Sequence, residues 1–157
     1  TVCTRNPKCV LCPFQQECES LKAGLQNKIP VTLKRSKRPQ KERTFLLLWD
    51  DDECFLQKRS VKGVWEGLYC LPEKDGVLTQ EAAERIVSEQ GFCVKNTRAL
   101  ESFSHDFSHY RLILHPIAVR VNKKPLTSNS ERWIKLADLP DIGLPAPIRS
   151  LLEKFFL

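Results

Sequence analysis

The spacing of hydrophobic residues changes character near residue 44. From there TFLLLW (44–49) is a short apolar run, Asp50, Asp51, Asp52 and Glu53 interrupt it, and CFLQKR (54–59) resumes it. Two apolar runs around an acidic turn predict a β-hairpin. Residues 60–72 (SVKGVWEGLYCLP) hold two glycines, two aromatic residues and a closing proline, which predicts an irregular, half-buried segment. Over 79–90, Thr79 can cap a helix, Glu81 sits in its first turn, and Ala82, Ala83, Ile86 and Val87 form an inward stripe that Gly91 ends. Residues 92–103 and 110–121 alternate in the manner of strands, with SHDFSH as the turn between them. Pro116 in the second of these predicts an edge strand or a bulge. A short strand is expected over 131–135, and residues 147–156 carry Ile148, Leu151, Leu152 and Phe155 at helical spacing behind Pro147. Strands, helix, strands, helix make an α+β domain of about 110 residues.

The first quarter of the chain has no such rhythm. Residues 19–28 can form a helical turn, and residues 28–43 (KIPVTLKRSKRPQKER) are basic, with two prolines and no sustained period, as a tether would be. Charge follows the same division. Residues 1–43 carry ten Lys/Arg and three Asp/Glu, a net +7, and the remainder carries a net −1. A polyanionic partner near the basic segment and a merely solvated tether both fit this asymmetry. With 41% hydrophobic and 28% charged residues in 157, one core-forming domain with a small appendage is expected. No run of eighteen apolar residues and no signal-like start occur, so neither a membrane span nor export is expected. Methionine is absent, and the chain reads as part of a longer protein.

Seven cysteines sharpen the picture. Cys3, Cys9, Cys12 and Cys18 form a C-x5-C-x2-C-x5-C group, while Cys54, Cys70 and Cys93 are scattered. A compact thiolate tetrad suits a four-Cys iron–sulfur cluster or tetrahedral zinc; two small disulfides would need an oxidising compartment. Pro7 and Pro13 favour loops around the tetrad, and Arg5 and Lys8 supply charge that favours thiolates and can touch phosphate.

Four blocks of this sequence resemble the C-terminal part of the MutY family, the A/G-specific adenine DNA glycosylases. They are the cysteine loop from Cys3 to Cys18, the block Gly63-Val64-Trp65-Glu66-Gly67-Leu68-Tyr69-Cys70-Leu71-Pro72, the segment Phe103-Ser104-His105-Asp106-Phe107-Ser108-His109, and Leu144-Pro145-Ala146-Pro147 before the last helix. They occur in order over nearly the whole chain. The spacing between Cys3 and Cys9 is one residue shorter than the C-x6-C of that family.

The resemblance implies a four-Cys iron–sulfur loop at 1–20 (4Fe–4S, held by Cys3, Cys9, Cys12 and Cys18), a basic linker at 21–43, and a MutT/Nudix-like mixed sheet with two helices at 44–157. It implies base excision repair of adenine opposite 8-oxoguanine, with double-stranded DNA carrying that mispair as partner. The glycosidic chemistry belongs to a helical domain outside these blocks, so this chain alone is expected to be monomeric, DNA-associated in the cytoplasm, and inactive in excision. Arg5, Lys8, Lys34, Arg35, Lys37 and Arg38 are the expected phosphate contacts, with Lys41 and Arg43 beside them.

The resemblance also raises a second activity, a Nudix-type nucleotide pyrophosphohydrolase. A Nudix box holds Mg²⁺ on clustered helix carboxylates. Gly67 and Glu73 match its opening, but Glu84-Arg85 inverts the Arg-Glu pair and Glu89 alone remains of the adjacent carboxylates. Fold retention with loss of catalysis is the expectation. A reader of 8-oxoguanine must place an acceptor at N7, which oxidation turns into a donor, or a donor at O8; a hydroxyl can serve as either. The family pattern selects Phe107, Ser108 and His109 for this role, with Ser108 supplying the hydroxyl. On the residues alone, Phe107 as core, Ser108 as a turn residue and His109 as a strand end fit as well. Trp65, Leu68 and Tyr69 are expected to be core and shape-setting residues.

Overall fold

A computed structural model of the chain describes residues 2–3, 6–29, 38–60 and 62–156. Two compact units divide it, Thr1–Lys37 and Arg38–Leu157. The first is built of tight turns. Cys9–Leu11 and Gln15–Glu17 form single 3₁₀ turns, and α1 (Glu19–Lys22) is a single helical turn, shorter than the 19–28 stretch that could have formed one. None of these elements buries a residue, and among the described residues of this unit none is buried.

The second unit is a mixed eight-stranded sheet. Its strands are β1 (Gln40–Asp50), β2 (Glu53–Lys58), β3 (Tyr69–Cys70), β4 (Glu73–Asp75), β5 (Cys93–Ala99), β6 (Phe103–Asp106), β7 (Arg111–Asn122) and β8 (Glu131–Lys135). The order β3-β2-β1-β7-β5 forms its body, with β4 on β1, β6 on β7 and β8 on β2. Most neighbours are antiparallel, but β1 and β7 run parallel over ten residue pairs, from Gln40↔Arg111 to Trp49↔Arg120. The expected hairpin is present, with Trp49 opposite Cys54 and Asp51 in the left-handed region at φ 50°. Alternation along β1 sends Phe45 and Leu47 to one face and Leu46 and Leu48 to the other. Both faces are covered, which is why TFLLLW reads as a continuous apolar run. Helix α2 (Gln80–Glu89), capped by Thr79 Oγ1 accepting from Ala82 N at 3.3 Å, lays Ala83 and Val87 on the second face. Helix α3 (Ala146–Phe156) lays Ile148, Leu151 and Leu152 on the first.

Three expectations need correction. The basic stretch ending at Arg43 is not wholly a tether, since β1 already starts at Gln40 and pairs there with β7 on one side and with β4 at Arg43↔Asp75. Backbone pairing on both edges overrides its polar composition. SHDFSH is not all turn either: Ser104, His105 and Asp106 pair with β7 in β6, and only Phe107–Tyr110 turns. Finally, β7 is central, not an edge. Pro116 is tolerated there because it lies at the seam where the partner of β7 changes from β6 (to Leu114) to β5 (from Ile117), and its carbonyl accepts from Leu100 N at 2.9 Å.

Among the described residues, Thr44 is the one buried polar side chain. Its Oγ1 donates to the Gly76 carbonyl at 2.8 Å and accepts from Leu78 N at 2.9 Å, fastening β1 to the segment that leads into α2. Thr44→Val keeps the shape but strands both backbone groups. It is expected to lower unfolding free energy by about 1–3 kcal/mol in urea denaturation followed by circular dichroism; an unchanged midpoint would contradict this role.

Candidate nucleic-acid interface

The turn between β6 and β7 is closed from three sides. Phe107 N donates to the Tyr110 carbonyl at 2.9 Å. Arg111 donates to both carboxylate oxygens of Asp106, at 2.6 and 2.9 Å. Arg38 Nη1 donates to the Phe107 carbonyl at 3.3 Å. The Arg111 hydrogen bonds and charge hold the Asp106 carboxyl below the usual carboxylate range. Its folded-state pKa is thus depressed, so the pair is present at neutral pH and is lost only as pH falls through that lowered value.

Within this frame the three expected lesion-reading residues separate. Phe107 is half-buried: its ring lies 4.8 Å from His105, 5.3 Å from Trp65 and 4.7 Å from Tyr110, and it packs on the core. Ser108 and His109 are exposed, with Ser108 Oγ 3.3 Å from His109 Nδ1. The turn therefore anchors one aromatic ring and presents a hydroxyl and an imidazole outward. Ser104 stands instead on β6 opposite Ile113, exposed while Phe103 and His105 are partly buried.

His109 borders a cavity of about 360 Å³ that also takes in Lys41, Arg43, Arg59, Lys62, Trp65 and Tyr110. Four cations face it against one carboxylate, Glu73. Lys41 Nζ sits 4.9 Å from the centre of the Tyr110 ring, and Arg59 Cζ 5.9 Å from that of Trp65. Arg43 and Arg59 both reach Glu73 Oε1, at 2.7 and 2.5 Å. Burial works against the Arg59 charge, but the hydrogen bond and charge of Glu73 outweigh it and raise the guanidinium pKa overall. Glu73 is the residue that matches the opening of a Nudix box, and here two guanidiniums occupy it. Glu84 and Glu89 lie exposed on α2.

Trp65 was expected to be only a shape-setting residue. It does pack on the core, but it also forms a wall of the cavity and contacts Phe107. Its backbone is left-handed at φ 66°, between Gly63 at φ 125° and Gly67 at φ 76°. Such a conformation costs a bulky residue about 1–2 kcal/mol and persists only where its surroundings enforce it. Backbone hydrogen bonds from Arg59 N to Leu68 O and from Gly67 N to Arg59 O pinch the loop shut around it. Two glycines bracketing Trp65 were the legible signal. Lys41 and Arg43 continue the Phe45, Leu47 face of β1 at alternate positions, a placement that the tether reading of 28–43 missed.

In the N-terminal unit Cys3, Cys9, Cys12 and Cys18 carry free thiols and border one cavity of about 150 Å³, together with Lys8. Among the described residues, no three or more Cys, His, Asp or Glu are gathered tightly enough for a single metal ion. Of the expected phosphate contacts, Lys8 is exposed beside this cavity and Arg38 braces the turn. Arg5, Lys34, Arg35 and Lys37 lie outside the described residues. Among the described residues, no helix is long and apolar enough to cross a membrane.

Comparison with known proteins places this geometry. The chain is 31% identical over 158 residues to the adenine DNA glycosylase of Buchnera aphidicola subsp. Schizaphis graminum, covering 98% of this chain and 45% of that protein. It is likewise 31% identical over 155 residues to the adenine DNA glycosylase of Buchnera aphidicola subsp. Baizongia pistaciae, covering 95% and 42%. The chain thus spans less than half the length of these relatives. Among solved structures, the C-terminal domain of mouse MUTYH, in complex with human PCNA, matches with a TM-score of 0.57 at 12% identity, over 73% of this chain and 86% of that one. The MutT protein of Methanosarcina mazei Go1 matches with a TM-score of 0.56 at 18% identity, over 77% and 96%. At such identities these two likenesses establish the fold. The NUDIX domain model matches residues 43–154, the greater part of the chain, which therefore belongs to the NUDIX domain family.

Proposed function

We propose that this chain is the lesion-recognition part of an adenine DNA glycosylase, and that it binds the strand carrying 8-oxoguanine opposite adenine without excising the adenine itself. The observation that carries this reading is the turn Phe107–Tyr110, which offers the Ser108 hydroxyl and His109 at the edge of a cationic, aromatic-walled cavity. Its likeness over nearly its full length to two adenine DNA glycosylases supplies the biological context. Ser108 addresses N7–H or O8 of the oxidised base, and the cations around His109 take the neighbouring phosphates. Trp65 and Phe107 position the turn. Glu73, clamped by Arg43 and Arg59, serves the cavity as a structural anion, which favours shape over diphosphate hydrolysis.

We further propose that Cys3, Cys9, Cys12 and Cys18 hold a 4Fe–4S cluster. The cluster would supply the N-terminal unit with the internal cross-link that its exposed turns do not provide, and Lys8 beside it would meet DNA phosphate.

Fluorescence anisotropy with duplexes that differ only in 8-oxoguanine or guanine opposite adenine tests the lesion reading. The chain is expected to prefer the oxidised duplex, and Ser108→Ala to reduce that preference several-fold, equivalent to about 1 kcal/mol. Trp65→Ala, by freeing the turn, is expected to weaken binding to both duplexes. An unchanged preference in the serine variant would remove Ser108 from the role. For the cluster, the purified chain is expected to be brown and to contain iron and inorganic sulfide. Burial pushes the Cys54 and Cys70 thiols up to about 12. Iodoacetamide at about pH 8, near the ordinary thiol pKa, should then label only Cys93 in the loaded chain, and the N-terminal four as well once iron is chelated. Colourless protein with zinc or no metal would overturn the cluster assignment.

A further inference from the structure

A second groove, unconnected with the DNA reading, lies along the α3 side of the sheet. Helix α3 shares a core on that face with Phe45 and Leu47 of β1 and Cys54 and Leu56 of β2, and its C-terminal half borders open space beside β5. There a cavity of about 390 Å³ is bordered by Arg98, Leu100, Phe103, Leu151, Lys154 and Phe155. A neighbouring cavity of about 270 Å³, bordered by Trp49 and Arg120, shares Arg98 and Phe155 with the first, so the two adjoin at these side chains and together make a trough. Strand register builds its floor. Trp49 pairs with Arg120 across β1 and β7, Arg120 with Asn96 across β7 and β5, and Ala118 with Arg98 beside them. The end of α3 supplies the wall, with Phe155 5.6 Å and Phe156 6.2 Å from Trp49.

The trough joins an apolar floor to a cationic rim. Arg98 Cζ lies 5.0 Å from the Phe155 ring centre and Arg120 Cζ 5.0 Å from that of Trp49. Arg120 also reaches Asp51 at 3.1 Å, but among the described residues Arg98 and Lys154 have no carboxylate within ion-pair distance. Guanidiniums laid on aromatic faces are held in place and keep N–H donors free at their edges. Leu100, Phe103, Leu151 and Phe155 would meet nothing useful in a phosphate backbone; Glu101 also borders this cavity, one carboxylate against Arg98 and Lys154. An extended peptide satisfies both halves, with apolar side chains for the floor and carboxylates for the rim.

We propose that this trough docks a partner protein through a short acidic segment that carries a leucine or aromatic anchor between carboxylates. The test uses the whole chain and a fluorescein-labelled peptide, EDLFED, followed by anisotropy in 0.1 M salt. Binding is expected with a dissociation constant on the order of 10 µM, within the range of small transient interfaces. The basic counterpart KKLFKK should not bind, and a dT₁₂ oligonucleotide should not displace EDLFED. Arg98→Glu and Lys154→Glu, both on exposed side chains, should each weaken binding at least tenfold at unchanged melting temperature; if one variant melts early, the other decides. The proposal is overturned by equal binding of wild type and both variants, by binding of KKLFKK, or by displacement with dT₁₂, which would make the trough a nucleic-acid surface. A concentration-dependent dimer in sedimentation that Arg98→Glu dissociates would overturn it in favour of a second copy of this chain.

Discussion

The parallel pairing of β1 with β7 is the constraint from which the rest of the second unit follows. Ten consecutive residue pairs fix these two strands side by side at the centre of the sheet. A one-residue slip would exchange Phe45 and Leu47 with Leu46 and Leu48, and so turn each strand's inner faces over. The register is therefore held by both cores at once: the α3 cluster on one side and the α2 cluster on the other. The same pairing sets the start of β7 beside the start of β1. That brings the Phe107–Tyr110 turn next to Lys41 and Arg43, and at the far end it aligns Trp49 with Arg120. Both surfaces proposed to bind partners are consequences of one register.

Much of this was legible in the residues. The hairpin at Asp50–Glu53, the Thr79-capped helix and the helix behind Pro147 followed from period, capping and turn chemistry. What was not legible was pairing. Residues 38–43 look like a tether because their side chains are polar, yet a strand is specified by its neighbours as well as its own composition, and β4 and β7 are distant in sequence. Pro116 looked like an edge marker for the same reason. Only the change of partner from β6 to β5 shows why a central strand can hold it. In the candidate interface, Ser108 was singled out by the family resemblance, and Lys41 and Arg43 only as basic residues of the expected linker. Arg59, Lys62 and the wall formed by Trp65 could not be read locally, because a left-handed loop folded back by backbone hydrogen bonds brings them there.

The fate of Glu73 links the fold to the function. In a hydrolase this carboxylate would help prepare a site for a divalent cation and a diphosphate. Here Arg43 and Arg59 neutralise it, and the remaining helix carboxylates stand apart in solvent. With Glu73 paired to two guanidiniums and four cations lining the cavity, little is offered to a divalent cation. On the proposed reading the cavity suits a phosphate-bearing strand whose base is judged by hydrogen bonding. In that proposal the NUDIX scaffold holds one turn beside a cluster of positive charge.

Amide chemical-shift mapping of the isotopically labelled chain with a duplex containing one adenine–8-oxoguanine mispair addresses this account most directly. The account predicts that the largest changes fall on Lys41, residues 62–67 and residues 107–111, and that they shrink when guanine replaces the oxidised base. Changes concentrated instead on α2 around Glu84 and Glu89, dependent on Mg²⁺ and matched by a free nucleotide, would contradict it.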